Sequence, residues 1–273
     1  MRAVPFEAPD SANVVHALGA GSTFEVAVVD WRGQRRICKR LIPRMRHEPA
    51  AHAAMDREAE LLARVRHESL PALVDRGTDG HGPFVIESFH DAPSIRRVVT
   101  GYDERGREMA PELFRAIMRA GFRALAELHA LGDLDLVLGD VGPDHVLAAR
   151  GQVYFVDFGH ARYRGMPCAA PPSERGTLPY VPPEVARGEC EPTQASDVYA
   201  LAGTFAFLAL RRDPCRADAN AARLVEIAER GIDVDDLPSC SCIDADCRAV
   251  LTSALAFDPG ARTREAARIL ARL

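Results

Sequence analysis

The apolar pattern of this chain changes from strand-like to helix-like near residue 100. Short β-type runs at residues 24–29 and 36–41 flank Trp31-Arg32-Gly33-Gln34, which predicts a hairpin turn. Residues 50–66 show helical spacing, and from Pro111 onward apolar residues recur at that spacing. The sequence therefore predicts an α+β fold, with a small strand-rich N-terminal part that holds one helix and a larger helical C-terminal part.

Further elements follow from the same periodicities and from Gly- and Pro-rich breaks. Strands are expected at about residues 71–75, 83–89, 146–147 and 153–156, with a turn at residues 77–82 between the first two. A loop rich in Gly, Pro and Arg is expected over residues 160–177, and helices are expected over residues 197–273.

The net charge and the apolar runs of the chain indicate which kinds of partner to expect. At 273 residues the chain can hold one large domain or two lobes. The formal net charge of -5 gives no electrostatic case for binding nucleic acid or an anionic membrane. The N-terminus lacks the apolar core of a signal peptide, and the apolar run at residues 198–210 is too short and interrupted to span a bilayer. A cytoplasmic location is therefore expected, with no nucleic-acid or membrane partner.

The seven cysteines are an odd number, and reduced thiols are expected because no secretory signal accompanies them. Cys240, Cys242 and Cys247 cluster late in the chain and could bind zinc with a fourth ligand, such as Cys215 or a histidine. Their spacing lacks the two-residue gaps typical of zinc knuckles, so metal binding there is disfavoured.

Two acidic residues bracket the strand pair predicted around residues 146–156. Asp157-Phe158-Gly159 directly follows the second apolar run, and Asp140 lies upstream in Leu138-Gly139-Asp140. Two carboxylates on short turns are what phosphoryl transfer uses: one holds the metal on the nucleotide phosphates, and the other orients the attacking hydroxyl. We therefore predict that one of Asp140 and Asp157 binds a metal and that the other is catalytic.

A second group of candidates, for binding phosphate, lies in the N-terminal part. Gly19-Ala20-Gly21 precedes a predicted strand and could cover phosphates, because glycines let backbone amides approach phosphate oxygens. Lys39, on the next strand, can pair with those phosphates. Glu58, on the following helix, is placed to hold Lys39, with Glu60 as the competing candidate.

The order of these residues resembles the protein kinase superfamily, specifically the bacterial members of the eukaryotic-like serine/threonine protein kinases. Three later segments extend the match, namely Gly176-Thr177-Leu178-Pro179-Tyr180-Val181-Pro182-Pro183-Glu184, Ser196-Asp197-Val198-Tyr199 and Asp258-Pro259-Gly260-Ala261-Arg262. The resemblance runs from about Val14 to Leu273 and implies a bilobal, protein-kinase-like fold as a single domain over residues 1–273. The N-lobe would span about residues 12–87, the hinge about 88–92 and the C-lobe about 93–273.

The resemblance implies an enzyme that transfers the γ-phosphate of ATP, in the presence of Mg²⁺ or Mn²⁺, to a hydroxyl of a protein substrate. On the nucleotide side, Lys39 would contact the α- and β-phosphates and would be held by Glu58, while Glu87 and the residues after it would form the hinge that meets the adenine. The implied ATP-binding residues are Gly19, Ala20, Gly21, Val26, Lys39, Glu58 and Glu87.

In the C-terminal part, the resemblance gives Asp157 the role of binding the metal that bridges the phosphates and Asp140 the role of accepting or orienting the proton of the substrate hydroxyl. Thr177 would lie beside it in the loop that receives the substrate residue, which favours Ser or Thr over Tyr as acceptor. Two structural roles are also implied: Asp197 would cap the backbone of the Asp140 loop, and Glu184 would form a buried ion pair with Arg262.

The catalytic loop departs from the family at three positions. Gly139 stands where the family has an arginine that docks a phosphorylated activation loop, and Gly142 stands where it has a lysine that neutralises the transferring phosphate. His145 replaces an asparagine that binds metal, and neutral imidazole suits Mn²⁺ better than Mg²⁺. Alternatively, Asp144 takes over the metal, or the second metal site is lost.

These departures leave three functions open. The retained lysine, glutamate and two aspartates favour an active kinase, whereas the three changes favour a pseudokinase that binds nucleotide or a regulatory partner without phosphotransfer. The third is a small-molecule kinase resembling the aminoglycoside phosphotransferases, which share Gly139-Asp140 but lack a peptide-receiving lobe. Between residues 160 and 175 the hydroxyl acceptors are Tyr163 and Ser173, so activity is expected not to depend on phosphorylation of that loop.

Overall fold

The fold changes character at Asp91, where the chain divides into two compact units. Unit 1 ends at Asp91 and unit 2 begins at Ala92, so the boundary falls inside the segment 88–92 that the sequence nominates as a hinge. The computed structural model describes residues 6–164, 176–235 and 237–273. Ser173 lies outside these described residues.

Unit 1 contains a five-stranded antiparallel sheet with the strand order β1-β2-β3-β5-β4. Its strands are β1 (Ala12–Ala20), β2 (Phe24–Trp31), β3 (Gln34–Leu41), β4 (Leu73–Asp79) and β5 (Gly82–Ser88). The predicted hairpin between β2 and β3 is confirmed: Arg32 and Gly33 both have positive φ, at 55° and 78°, and Trp31 faces Gln34. Two positive φ values in a two-residue loop match the twist of the flanking strands.

One helix, α1 (Pro49–Arg64), packs on a face of this sheet. It begins at a proline, whose missing N–H would be unpaired in a first turn anyway. The core on this face consists of Phe24, Leu41, Ala51, Met55, Ala59 and Val85. The opposite sheet face buries a second cluster made of Ala27, Val29, Trp31, Cys38 and Ile86. Each face of the middle strands therefore carries a buried apolar cluster. Burial of these side chains helps to fix the register in which the strands pair.

Unit 2 is mainly helical and contains one two-stranded sheet. Its elements are α2 (Ile95–Glu104), α3 (Pro111–His129), β6 (Val146–Ala149), β7 (Gln152–Phe155), α4 (Pro183–Ala186), α5 (Gln194–Leu210), α6 (Asn220–Arg230), α7 (Ala245–Ala254) and α8 (Ala266–Leu270). Helix α5 is apolar on all sides and is buried from Ser196 to Ala209, as expected for a helix in the centre of a helical unit. Its first turn is closed by a capping box between Thr193 and Ser196.

The predicted α+β division is confirmed, and the strands and helices that the sequence predicts are present within a few residues. Three details were wrong. Residues 12–20 form β1, residues 95–104 form α2, and β4 continues to Asp79 through residues expected as a turn. Among the described residues, no helix is both long and apolar enough to span a membrane.

Candidate active site

The lysine of unit 1 is fixed by a buried ion pair. Lys39 lies on β3 opposite Val26 of β2 and Val85 of β5, and its Nζ donates a hydrogen bond to Glu58 Oε1 on α1. The competing candidate, Glu60, instead accepts from Arg64 at 3.1 Å at the surface of α1. A buried charge is tolerated only when it is paired, so the geometry selects Glu58 as the partner.

A second carboxylate lies beside the same lysine. Glu87 Oε1 is 3.6 Å from Lys39 Nζ, and the Glu87 side chain is buried. Glu87 belongs to β5 and faces Ile37 of β3 across the sheet. The sequence points to Glu87 only as the start of the hinge, and it does not predict this side-chain contact.

The glycine segment forms the turn between the two strands at one edge of the sheet. Strand β1 ends with Gly19 and Ala20. The backbone N–H of Gly21 then donates to Phe24 O at 2.8 Å and closes the turn. Gly19 has a φ of +135°, which side chains rarely adopt, and no atom would lie within 4 Å of an added Cβ there. The backbone of this segment is thus open to a ligand, as a phosphate-covering turn requires.

In unit 2, Asp197 holds the loop that carries Asp140. Asp197 is buried in the first turn of α5, and its two oxygens accept from Leu138 N at 2.8 Å and Gly139 N at 2.9 Å. His129, at the end of α3, lies 3.1 Å from Asp197 Oδ2 through its Nε2. The sequence does not predict the role of His129, since no local pattern links two residues so far apart in the chain.

Asp140, the predicted catalytic carboxylate, is itself held by the loop that contains Thr177. Asp140 Oδ1 accepts from the backbone N–H of Thr177 at 2.7 Å, so these two residues are brought together. Burial opposes ionisation of Asp140, but the charge and hydrogen bond of His145, with help from His160 and Thr177, outweigh it and lower the Asp140 pKa well below its usual value. Asp140 is therefore an ionised carboxylate at neutral pH.

His145 bridges the two acids of the site. Its Nδ1 lies 3.1 Å from the Asp140 carbonyl oxygen and 3.3 Å from Asp140 Oδ2, and its Nε2 lies 3.6 Å from Asp157 Oδ2. Burial disfavours the imidazolium, but the Asp140 carboxylate, its hydrogen bond and the Asp157 carboxylate raise the pKa of His145 to about 10. The ring is therefore positively charged at neutral pH.

Asp157 directly follows β7 with a φ of 69°, an uncommon conformation for a residue other than glycine. Such strained positions are found where a side chain must be aimed at a ligand. Asp144, the alternative metal ligand, is engaged elsewhere: both of its oxygens accept from Arg96 Nε, at 3.0 Å and 2.9 Å. This ion pair with Arg96 holds the Asp144 carboxylate in place.

The second structural pair of unit 2 is bidentate. Arg262 Nη1 and Nη2 donate to the two oxygens of Glu184 at 2.7 Å and 3.0 Å. The Arg262 guanidinium also donates to the Ala256 and Phe257 carbonyls and lies 4.7 Å from the centre of the Tyr199 ring. Four of the five guanidinium N–H donors are thus paired, and the carboxylate compensates the buried charge.

The site fits a nucleotide metal better than a metal held by protein alone. Asp157 offers carboxylate oxygen, which Mg²⁺ prefers, and kinase-type sites use one or two carboxylates together with substrate phosphates. Across the described ranges there is no group of three or more His, Cys, Asp or Glu side chains arranged to hold a metal ion. Of the late cysteines, Cys242 and Cys247 are buried free thiols.

Comparison with known proteins agrees with this geometry. Residues 12–271 match the family model described as protein kinase domain. The chain belongs to the protein kinase family. The two-part α+β fold predicted from the resemblance is thereby confirmed as the protein kinase fold.

Several curated bacterial serine/threonine kinases are similar to this chain. The probable serine/threonine-protein kinase PkwA of Thermomonospora curvata is 28% identical over 227 residues, which cover 82% of this chain and 30% of the relative. Serine/threonine-protein kinase PknL of Mycobacterium tuberculosis is 31% identical over 191 residues, covering 68% and 44%. Serine/threonine-protein kinase PknB of Mycobacterium leprae is 27% identical over 268 residues, covering 94% and 41%. The chain thus spans less than half the length of each of these relatives.

Proposed function

We propose that this protein is an ATP-dependent protein serine/threonine kinase. The observation that carries the proposal is the state of Asp140, an ionised carboxylate with one oxygen held by Thr177 N in a loop fixed by Asp197. Nucleotide binding alone needs no such group. An oriented carboxylate next to the acceptor loop is needed only when a hydroxyl must be aimed at a phosphate.

The roles of the other residues follow from the family. ATP would supply the γ-phosphate, and a bound Mg²⁺ or Mn²⁺, held by Asp157, would supply positive charge to its phosphates. In unit 1, Lys39 binds the α- and β-phosphates, Glu58 keeps its ammonium in place, the turn at Gly19, Ala20 and Gly21 covers the phosphates, and Val26 is a further ATP-binding residue. The backbone that follows Glu87 meets the adenine.

In unit 2, Asp157 holds the metal, and Asp140 orients the acceptor hydroxyl. The low pKa of Asp140 makes it a weak base, so it aims the hydroxyl and takes the proton only as the new bond to phosphorus forms. Thr177 lies where the acceptor residue is received. In the family, a threonine at this position favours Ser or Thr over Tyr as the acceptor residue of a protein substrate.

His145 favours a second candidate function, a pseudokinase that binds nucleotide or a regulatory partner. A protonated imidazole cannot coordinate metal, and here it contacts an oxygen of Asp157 that a metal would use. Mn²⁺ binding by His145 therefore requires loss of the ring proton. The two functions differ in one measurable respect, which is whether phosphate reaches an acceptor.

The test is a transfer assay with ATP and a generic acceptor protein, in Mg²⁺ and separately in Mn²⁺. The variants are Asp140→Asn and, as a matched control, Asp133→Asn at an exposed position. We expect phosphoserine or phosphothreonine by mass spectrometry, lost in Asp140→Asn and unchanged in Asp133→Asn. A third variant, His145→Asn, restores the metal ligand of the family and should raise transfer in Mg²⁺.

An absence of transfer in both metals, together with stabilisation of the protein by ATP, would contradict the kinase proposal and leave the pseudokinase. Stabilisation by ATP is measured by thermal unfolding with and without the nucleotide, because a ligand that binds only the folded state raises the apparent stability of the protein.

A further inference from the structure

The position of Glu87 in the sheet brings its side chain to Lys39. Glu87 faces Ile37 across the β3–β5 pair, and Lys39 faces Val85, so Lys39 and Glu87 are diagonal neighbours on one face of the sheet. Side chains two residues apart on a strand point to the same side. The contact is therefore set by the register of two central strands rather than by a flexible loop.

The three charged groups are withdrawn from water together. The side chains of Lys39, Glu58 and Glu87 are 6%, 1% and 2% exposed. Two carboxylates thus lie around the same ammonium, where salt and water screen their charges little.

The two carboxylates do not have equal roles. Glu58 accepts a hydrogen bond from Lys39 Nζ and is the anchor, whereas Glu87 at 3.6 Å lies beyond normal hydrogen-bond distance and acts on the lysine through its charge. With both acids ionised, the three groups carry one negative charge in excess. A phosphate approaching Lys39 meets that excess charge as repulsion.

We propose that Glu87 is a specificity-determining residue that competes with nucleotide phosphates for Lys39, so that it weakens the binding of highly charged nucleotides relative to the uncharged nucleoside. This inference rests on the proposed function, in which Lys39 contacts the phosphates. It concerns how strongly the phosphates are held, and phosphate transfer can be present whether or not Glu87 has this effect.

The experiment compares the dissociation constants of ATP with Mg²⁺ and of adenosine, each measured by calorimetry on the full chain. Adenosine carries no phosphate, so an effect through Lys39 changes the ATP value alone. Glu87→Gln removes the charge at nearly constant shape, and Glu87→Met removes it with a second side chain in case the buried amide disturbs folding. Glu60→Gln is the matched control, since it removes the same charge at the surface of α1.

We expect the ratio of the ATP to the adenosine dissociation constant to fall about tenfold in both Glu87 variants, which corresponds to about 1.4 kcal/mol, and to stay constant in Glu60→Gln. An unchanged ratio in both Glu87 variants, or a parallel change for ATP and adenosine, would overturn the proposal while leaving the kinase function intact. Failure of every protein to bind either ligand would overturn it together with the proposed nucleotide function.

Discussion

Replacement of Gly139 by alanine tests why this catalytic loop lacks the arginine of its family. Gly139 has a φ of +80°, and a Cβ at this position would lie 2.4 Å from the carbonyl oxygen of His160. The left-handed conformation costs a residue with a side chain about 1–2 kcal/mol. The clash is with main chain, which cannot swing aside as a long side chain can, and overpacking of this kind costs about 1–3 kcal/mol. We therefore expect Gly139→Ala to lower the free energy of unfolding by about 2–5 kcal/mol.

The measurement is urea unfolding followed by circular dichroism, with Gly142→Ala as the matched control. At Gly142 an added Cβ would meet its nearest atoms, on Tyr180 and Thr177, at 3.6 Å and 3.8 Å, which are ordinary contact distances. The control should therefore lose less than about 0.5 kcal/mol, as substitutions that meet no obstacle do. Equal losses in the two variants, or a loss below about 1 kcal/mol in Gly139→Ala, would refute the reasoning.

The conformation of Gly139 also opposes the arginine that the family has at this position. An arginine at position 139 carries the same Cβ as alanine and meets the same carbonyl. We expect Gly139→Arg to destabilise the loop at least as much as alanine does, and to create no docking site for a phosphorylated segment.

Three further predictions concern the same unit. The Cβ that Gly142→Lys adds meets only ordinary contacts, and if the proposed kinase activity holds, this variant is expected to raise kcat for protein phosphorylation up to about a hundredfold, measured beside Gly142→Ala, because it supplies a cation for the transferring phosphate. Arg262→Met is expected to lower the free energy of unfolding by about 3 kcal/mol in urea titrations, because it leaves Glu184 without its bidentate partner. The raised pKa of His145 means that the folded state holds a proton which the unfolded state releases above its ordinary pKa of 6.5. The stability contributed by His145 is thus complete below about pH 6.5 and falls as the pH rises toward 10. In unfolding experiments over this pH range, the free energy of unfolding of His145→Asn should therefore depend less on pH than that of the unaltered protein.

Periodicity located the elements that bury one regular face and missed those that do not. Strand β1 exposes nearly all of its side chains, so it carries no alternation of apolar and polar residues for the sequence to show. It exists because its backbone pairs with β2, which no single-strand pattern records. Helix α2 buries only Ile95 and Val99, and its clearest local signal is Ser94, whose side chain accepts from Arg97 N as an N-cap. That cap was the signal available for finding the helix.

The candidate site residues also fall into two groups. Some lie in recognisable sequence motifs, and others are brought into contact only by the fold. The acids and the lysine lie in short motifs with recognisable neighbours, so their positions could be predicted. Glu87 looks like a polar residue at the end of a strand, and only the register of β5 against β3 shows that it faces inward. His129 reaches Asp197 from another helix, and the charge of His145 depends on two carboxylates brought together by the fold.

The grip of Asp197 on the Asp140 loop acts through main-chain amides, and every residue except proline has such an amide. A different side chain at position 138 would therefore leave both hydrogen bonds in place, whereas position 139 also requires the backbone conformation that glycine adopts. Mutational drift in a catalytic motif usually endangers the fold and the activity together. Here the bonds that anchor the loop do not depend on the side chain at position 138, so a lineage could replace that residue while Asp140 kept its place.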